Sequence, residues 1–261
     1  MVNGAQKQEG HPSSSGLVDE LVKLQVSDSF LALFLVVIQI GAIMAVIILY
    51  FHKLNPFAPS KSVGQKKETW ILWLKVILSI IPSGLVGILL DDWMDAHLHT
   101  PTVVAAALIV YGIAFLFLEK LRPQNASSTY HGGNRHRTAL LIGCFQVLAL
   151  IPGTSRSGST ILGAMLLGLS RAAAAEFSFF MAIPTMIGAS GIKALKFVLS
   201  GTPVSGTEWG VLAVGFISAF LVSLAAIRFL MDFVKKHTFS AFGWYRIALG
   251  LLVLVWFFLI R

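Results

Sequence analysis

Charge is scarce in this 261-residue chain: 12% of its residues are Asp, Glu, Lys or Arg, about half of the roughly 25% usual in a soluble domain. That excludes a globular fold with a solvated surface all round. Acids are the scarcer sign, 12 against 20 basic residues, yet the surplus builds no basic face for nucleic acid. Lys and Arg sit in short loops between apolar runs, where the positive-inside rule accounts for them, so no nucleic-acid partner is expected. Cysteine is nearly absent. Cys144 stands alone in an apolar run, which excludes a disulfide within the chain and leaves no redox information. The first twenty residues are polar, lack an apolar core and do not read as a targeting peptide.

Apolar sequence is what the chain has in abundance: 56% of residues are hydrophobic and the mean hydropathy is +0.80. A hydrocarbon core of about 30 Å takes about 20 apolar residues per helix. Runs that meet this are Phe30 to Phe51, Trp70 to Leu90, Val103 to Leu118 with its flanks, Ala172 to Leu199, Trp209 to Phe233 and Phe242 to Ile260. The expected fold is therefore all-α, a polytopic membrane protein with about six spanning helices. Trp70, Trp93, Trp209 and Trp244 fall near the run ends, as an interfacial aromatic belt predicts.

Loop charges set the direction of each span. Lys53, Lys61, Lys66 and Lys67 occupy one loop, Asp91, Asp92 and Asp95 the next, and Lys120, Arg122, Arg135 and Arg137 the third. Basic loops belong to the cytoplasm. The loop at Gly201 to Glu208 has no basic residue and Lys235 with Lys236 follows the next span, so the alternation holds only if residues 139–171 leave and return on one side. The chain reads as a single transmembrane domain over 1–261, with an atypical polar segment at 1–28 and a re-entrant hairpin at 139–171. The hairpin arms, Ala139 to Ile151 and Ile161 to Leu169, are each about half a spanning length.

At the tip stands IPGTSRSGST, Ile151 to Thr160: one arginine among hydroxyls and glycines. An arginine near the midplane is costly and is by default a functional residue facing a carboxylate or an anionic ligand. Hydroxyls and free N–H groups at the start of the second half-helix add donors, and the positive end of its dipole points the same way. The competing reading is a cytoplasmic turn with a snorkelling Arg156. Two motif matches fail. Gly153 to Thr160 resembles a nucleotide phosphate loop, but Ser159 stands where lysine belongs; Gly153 to Ser157 resembles a nucleophile elbow, but the closing glycine is absent. Asp91, Asp92, Asp95, His97 and His99 match no standard metal-ligand spacing. Pro12-Ser13-Ser14-Ser15-Gly16 echoes the tip, and Phe34 to Ala42 echoes Phe179 to Ala189. Opposite directions of the two following spans make this an inverted-topology repeat, with chance similarity as the alternative.

These residues resemble the bacterial undecaprenyl-diphosphatase family, the bacitracin-resistance membrane phosphatases. Leu150 to Thr160 reproduces the family's arginine motif, and Phe34 to Ala45, Leu89 to Trp93 and Ala174 to Phe179 fit it. The resemblance implies hydrolysis of undecaprenyl diphosphate in the bacterial cell (inner) membrane, recycling the lipid carrier for peptidoglycan. It implies a site in which Arg156 and Ser155 act on the diphosphate while Gly153, Thr154, Ser157, Gly158 and Thr160 bind it. It further implies a first motif on an opposing re-entrant helix, onto which Glu9, Ser14 and Ser15 fall, Glu9 as base or as a holder of a divalent cation (Mg or Ca); no metal ligand is assigned from spacing. In that motif Ala5 stands where a first glutamate belongs and Leu17 where a histidine belongs, so activity is expected to be low unless residues 1–16 are replaced by a complete arm. A homodimer is a further expectation. Two alternatives stay open: a lipid-phosphate or anion transporter, because facing broken helices are also a transporter design, and a catalytically impaired paralogue.

Overall fold

The computed structural model of the chain describes residues 28–121, 135–201 and 203–260. Nine α-helices account for most of the described residues: α1 Asp28–Leu49, α2 Phe51–Leu54, α3 Val63–Leu98, α4 Pro101–Leu121, α5 Arg135–Val147, α6 Arg156–Leu166, α7 Arg171–Leu199, α8 Gly206–Lys236 and α9 Ser240–Ile260. Six of these are long and apolar enough to cross a bilayer, at Ser29–Leu49, Val63–Leu90, Pro101–Lys120, Arg171–Leu199, Gly206–Lys236 and Ser240–Leu259. The fold is an all-α polytopic membrane protein. Serines start the helices where the chain leaves its loops: Ser62 and Ser205 form capping boxes with Gln65 and Glu208, and Ser170 accepts from Ala173 N–H. Trp70, Trp93, Trp209 and Trp244 are all more than half exposed, consistent with an interfacial belt.

Helices α5 and α6 are the hairpin arms. Their boundaries differ from the sequence expectation. The first arm is helical to Val147 and closes with a 3-10 turn at Leu148–Leu150. The second starts at Arg156 rather than Ile161, because Ser159 and Thr160, which look like loop residues, donate their hydroxyls to the Ser155 and Arg156 carbonyls one turn back. It ends at Leu166 rather than Leu169. Gly168, at φ +89°, lets its own N–H reach Met165 O and the Leu169 N–H reach Ala164 O, the paired bonds that stop a helix at glycine. At 1.5 Å per residue, the eleven residues of α6 extend about 16 Å, half of a bilayer core.

Close backbone approach holds these helices together, as expected where lipid supplies no hydrophobic drive between them. Helix α5 lies on α3 at Gly143, where any Cβ would run into the Ser79 carbonyl. Helix α9 lies on α4 with Gly243 over the Gly112 carbonyl, and α8 lies on α1 at Gly41. Helices α1 and α7 also pair.

Polar ties gather one end of the bundle. Arg171 grips Glu119 through Nε and Nη2, Glu119 also accepts from Phe239 N–H at 3.0 Å, and Lys53 Nζ lies 2.7 Å from Glu176. The end of α1, the end of α4, the start of α7 and the turn between α8 and α9 therefore share one face. Helix α5 runs parallel to α3, with Gly143 beside Ser79 and Gln146 beside Ser83, so it enters from that same face, and α6 leads back to Arg171 there. The two arms therefore form a hairpin that begins and ends on one face of the bundle.

Candidate active site

Between the arms, the tip is folded by its own hydroxyls and by an arginine from elsewhere in the chain. Thr154 is 1% exposed and donates its hydroxyl to the Leu148 and Ile151 carbonyls at 2.9 and 2.8 Å. Gly153, at φ +91°, sits so close to α4 that a Cβ would lie 2.6 Å from the Val104 carbonyl oxygen. Arg246 of α9 donates Nη2 to the Gly153 and Thr154 carbonyls at 2.6 and 2.8 Å, with its guanidinium over the Tyr111 ring. The tip is thus tied to α4 and α9. At the next residue the backbone turns sharply: Ser155 has φ +68°, a conformation costly for a residue with a Cβ and one that concentrates at functional sites.

That turn makes Ser155 the N-cap of α6 and Arg156 its first helical residue. Ser155 Oγ accepts from Gly158 N–H at 3.4 Å and lies 3.4 Å from Ser157 Oγ. Among the described residues, the Arg156 guanidinium makes no hydrogen bond or ion pair, and the Arg156 and Ser157 N–H groups have no acceptor. An unpaired cation and two free N–H groups at a helix N-terminus compose an anion receptor.

Two cavities flank the arginine. The smaller, about 280 Å³, is lined by Gln146, Ser155, Arg156, Ser157, Thr160, Ser178 and apolar residues of α7. The larger, about 480 Å³, runs between α3 and α7 past Gly84, Pro184 and Gly188 and is mostly apolar. Arg156 and Gln146 line both. Helices α3 and α7 carry Pro82 and Pro184 within them, and proline removes a backbone bond and kinks a helix.

The sequence-predicted residues of the tip therefore stand together, with divided tasks. Arg156, Ser155 and Ser157 face the small cavity. Thr154 departs from its expected role as a ligand donor, since its one hydroxyl proton is held inside the tip. Thr160, also 1% exposed, bonds to the Arg156 and Ser157 carbonyls and to Ser178 Oγ at 2.6 Å, and Gly158 gives its N–H to Ser155. Glu9, Ser14 and Ser15 lie outside the described residues, and the side chains of Asp91, Asp92 and Asp95 do as well. Among the described residues no carboxylate lines either cavity and no three metal-binding side chains gather, so the described lining does not compose a cation site.

Sequence reasoning missed Arg246, Gln146, Ser83 and Ser178. An arginine within the apolar run Phe242 to Ile260 was a legible signal, because an ionisable residue at that depth marks a site by default. Gln146 and Ser83 carried none, since a polar residue on a spanning helix acquires meaning only from a partner 63 residues away.

Fold and site together define a class: a polytopic α-helical membrane protein with a half-length hairpin whose tip carries an arginine that is unpaired among the described residues. The comparisons with known proteins narrow the class. Residues 12–252 match the family model described as bacitracin resistance protein BacA. The chain is 55% identical over 256 residues to an undecaprenyl-diphosphatase of Lactiplantibacillus plantarum, covering 95% of this chain and 92% of the relative. It is 55% identical over 253 residues to undecaprenyl-diphosphatase 1 of Clostridioides difficile, covering 95% and 90%. It is also 54% identical over 253 residues to the Limosilactobacillus fermentum undecaprenyl-diphosphatase, covering 95% and 91%. The chain belongs to the bacitracin resistance protein BacA family.

Proposed function

We propose that this protein hydrolyses undecaprenyl diphosphate to undecaprenyl phosphate and orthophosphate, returning the lipid carrier to cell-wall synthesis in the bacterial inner membrane. The carrying observation is the Arg156 guanidinium at the start of α6, unpaired among the described residues and beside a hydroxyl-lined cavity, in a chain whose curated relatives bear the name of that activity. Phosphoryl transfer needs little covalent chemistry from the protein; positioning and charge neutralisation carry it. Arg156 grips phosphate oxygens with its two-pronged face. Ser155, Ser157 and the free N–H groups donate to the oxygens on which charge builds, while Thr154, Thr160 and Gly158 hold the tip in shape. The polyprenyl chain leaves past Gly84 and Gly188 through the apolar cavity.

Glu9 as base or as holder of a divalent cation, with Ser14 and Ser15 on the diphosphate, belongs to the proposal on the family likeness alone. So do a divalent cation (Mg or Ca) and a homodimer; no step above is routed through the cation. The test is phosphate release from undecaprenyl diphosphate by purified protein in detergent, with added divalent cation and with chelator. Release that is absent in both, with the lipid still bound, would overturn the proposal and leave the transporter and the catalytically impaired paralogue, which replacement of residues 1–16 by a complete arm separates.

A further inference from the structure

We propose that Gln146 is a positioning residue that holds the attacking water through its Oε1, an assignment that rests on the phosphatase reading. Gln146 is 3% exposed. Its Nε2 donates to Ser83 Oγ at 2.8 Å, and Ser83 gives its single hydroxyl proton to the Ile80 carbonyl at 3.1 Å. Ser83 is thereby an acceptor toward the amide, which turns the carbonyl end of Gln146 the other way. There Oε1 is buried and, among the described residues, meets no donor. Leaving a buried acceptor unpaired costs about 1–3 kcal/mol, so an unpaired one where two cavities join beside Arg156 marks the place of a ligand that carries a proton.

The identity of that ligand follows from charge. Around Gln146 the site is built of donors: the guanidinium, two serine hydroxyls and two free N–H groups, all suited to phosphate oxygens. An amide carbonyl repels an ionised phosphate oxygen and attracts O–H. A terminal phosphate held by arginine stays ionised at neutral pH, because a neighbouring cation favours the charged form. Water remains as the donor. It is also the co-substrate, and an amide that orients attacking water without taking its proton is a known solution in phosphoryl transfer. In the step, the water oxygen bonds to the terminal phosphorus as the bridging P–O bond breaks. The bond's electron pair leaves on undecaprenyl phosphate, and one water proton passes to an oxygen of the orthophosphate released.

The experiment compares the parent with Gln146→Met, which keeps length and bulk without an acceptor, and Ser83→Ala, which frees the amide to turn. Three readings are taken: phosphate release, the ratio of methyl phosphate to orthophosphate in water–methanol mixtures, and affinity for an unhydrolysable methylene analogue of the lipid diphosphate. Positioning of water predicts that Gln146→Met lowers kcat about 30-fold or more, shifts the methanol-to-water ratio at least about threefold, and leaves affinity for the analogue within about twofold. Ser83→Ala shifts the ratio in the same direction by less. A packing role would lower the rate with the ratio unchanged, and that result overturns the assignment. Analogue affinity weakened more than about fivefold would place Gln146 on the phosphate and also overturn it. A parent that releases neither orthophosphate nor methyl phosphate overturns the functional reading and the assignment with it, whereas an active parent whose variants keep the parent's product ratio overturns the assignment alone.

Discussion

Replacing Arg246 with methionine isolates what holds the active-site tip in place. Methionine keeps the inner stem of the side chain but ends where Nε stands, so it can neither donate to the Gly153 and Thr154 carbonyls nor place a cation over Tyr111. Hydrogen bonds to a charged group are worth about 1.5–3 kcal/mol each; two that share one Nη2 together contribute about 4 kcal/mol. Against this, Nε of Arg246 is buried without an acceptor, a cost of at least about 1 kcal/mol that disappears with the substitution. The cation over Tyr111 adds back about 0.5–1 kcal/mol. The net loss is about 3.5–4 kcal/mol, and at 1.4 kcal/mol per factor of ten the ratio of ordered to disordered tip falls by about 300- to 700-fold. We therefore expect kcat/KM for phosphate release to drop by more than about threefold and by as much as about 300- to 700-fold, the limit reached when disordered forms predominate, with hydrogen exchange at residues 151–158 rising and exchange in α3 and α4 unchanged. Activity within about threefold of the parent, or unaltered exchange at the tip, would show that the tip holds its shape without Arg246.

Arg156→Lys keeps the charge but offers a point donor in place of a planar fork, so phosphate release should fall to nearly nothing while expression and thermal stability hold; a variant as active as the parent would refute the clamp. Gly143→Ala forces a methyl group against the Ser79 carbonyl, and overpacking of about 1–3 kcal/mol or more should detach α5 from α3. A lowered melting temperature with increased proteolysis at the hairpin is the expected reading, and unchanged stability would mean that α3 yields. Gly84→Leu fills the apolar cavity and should raise KM for undecaprenyl diphosphate at least about tenfold while sparing a one-isoprene diphosphate; equal effects on both would move the chain's path elsewhere.

Much of the architecture was legible because a bilayer imposes lengths. Six apolar runs and the charges between them gave six spans, and the failure of alternation across residues 139–171 exposed the hairpin. What hydropathy could not give is where polar residues are satisfied. Ser157, Ser159 and Thr160 read as loop, yet two of their hydroxyls bond back to carbonyls of the same helix and let α6 begin at Arg156. Thr154 read as a ligand donor for the same reason, since its carbonyl partners become visible only when the tip is folded. The division of the site into a hydroxyl-lined and an apolar cavity was hidden, because it depends on α3 and α7 facing each other across the hairpin.

The hairpin's half length has a consequence for how the protein is made. Thirteen residues of α5, followed by a tip bearing arginine, cannot settle in lipid alone, because lipid rejects both the charge and the unpaired backbone of the tip. They can rest only on a surface already in the membrane. Helix α3, which meets α5 at Ser79, and α4, which meets the tip at Val104, both precede the hairpin in the chain and leave the ribosome first. Arg246 and α7 leave it later. One side of the hairpin's seat is therefore synthesised before it and the other side after it, so the candidate site is complete only once the last helix has arrived.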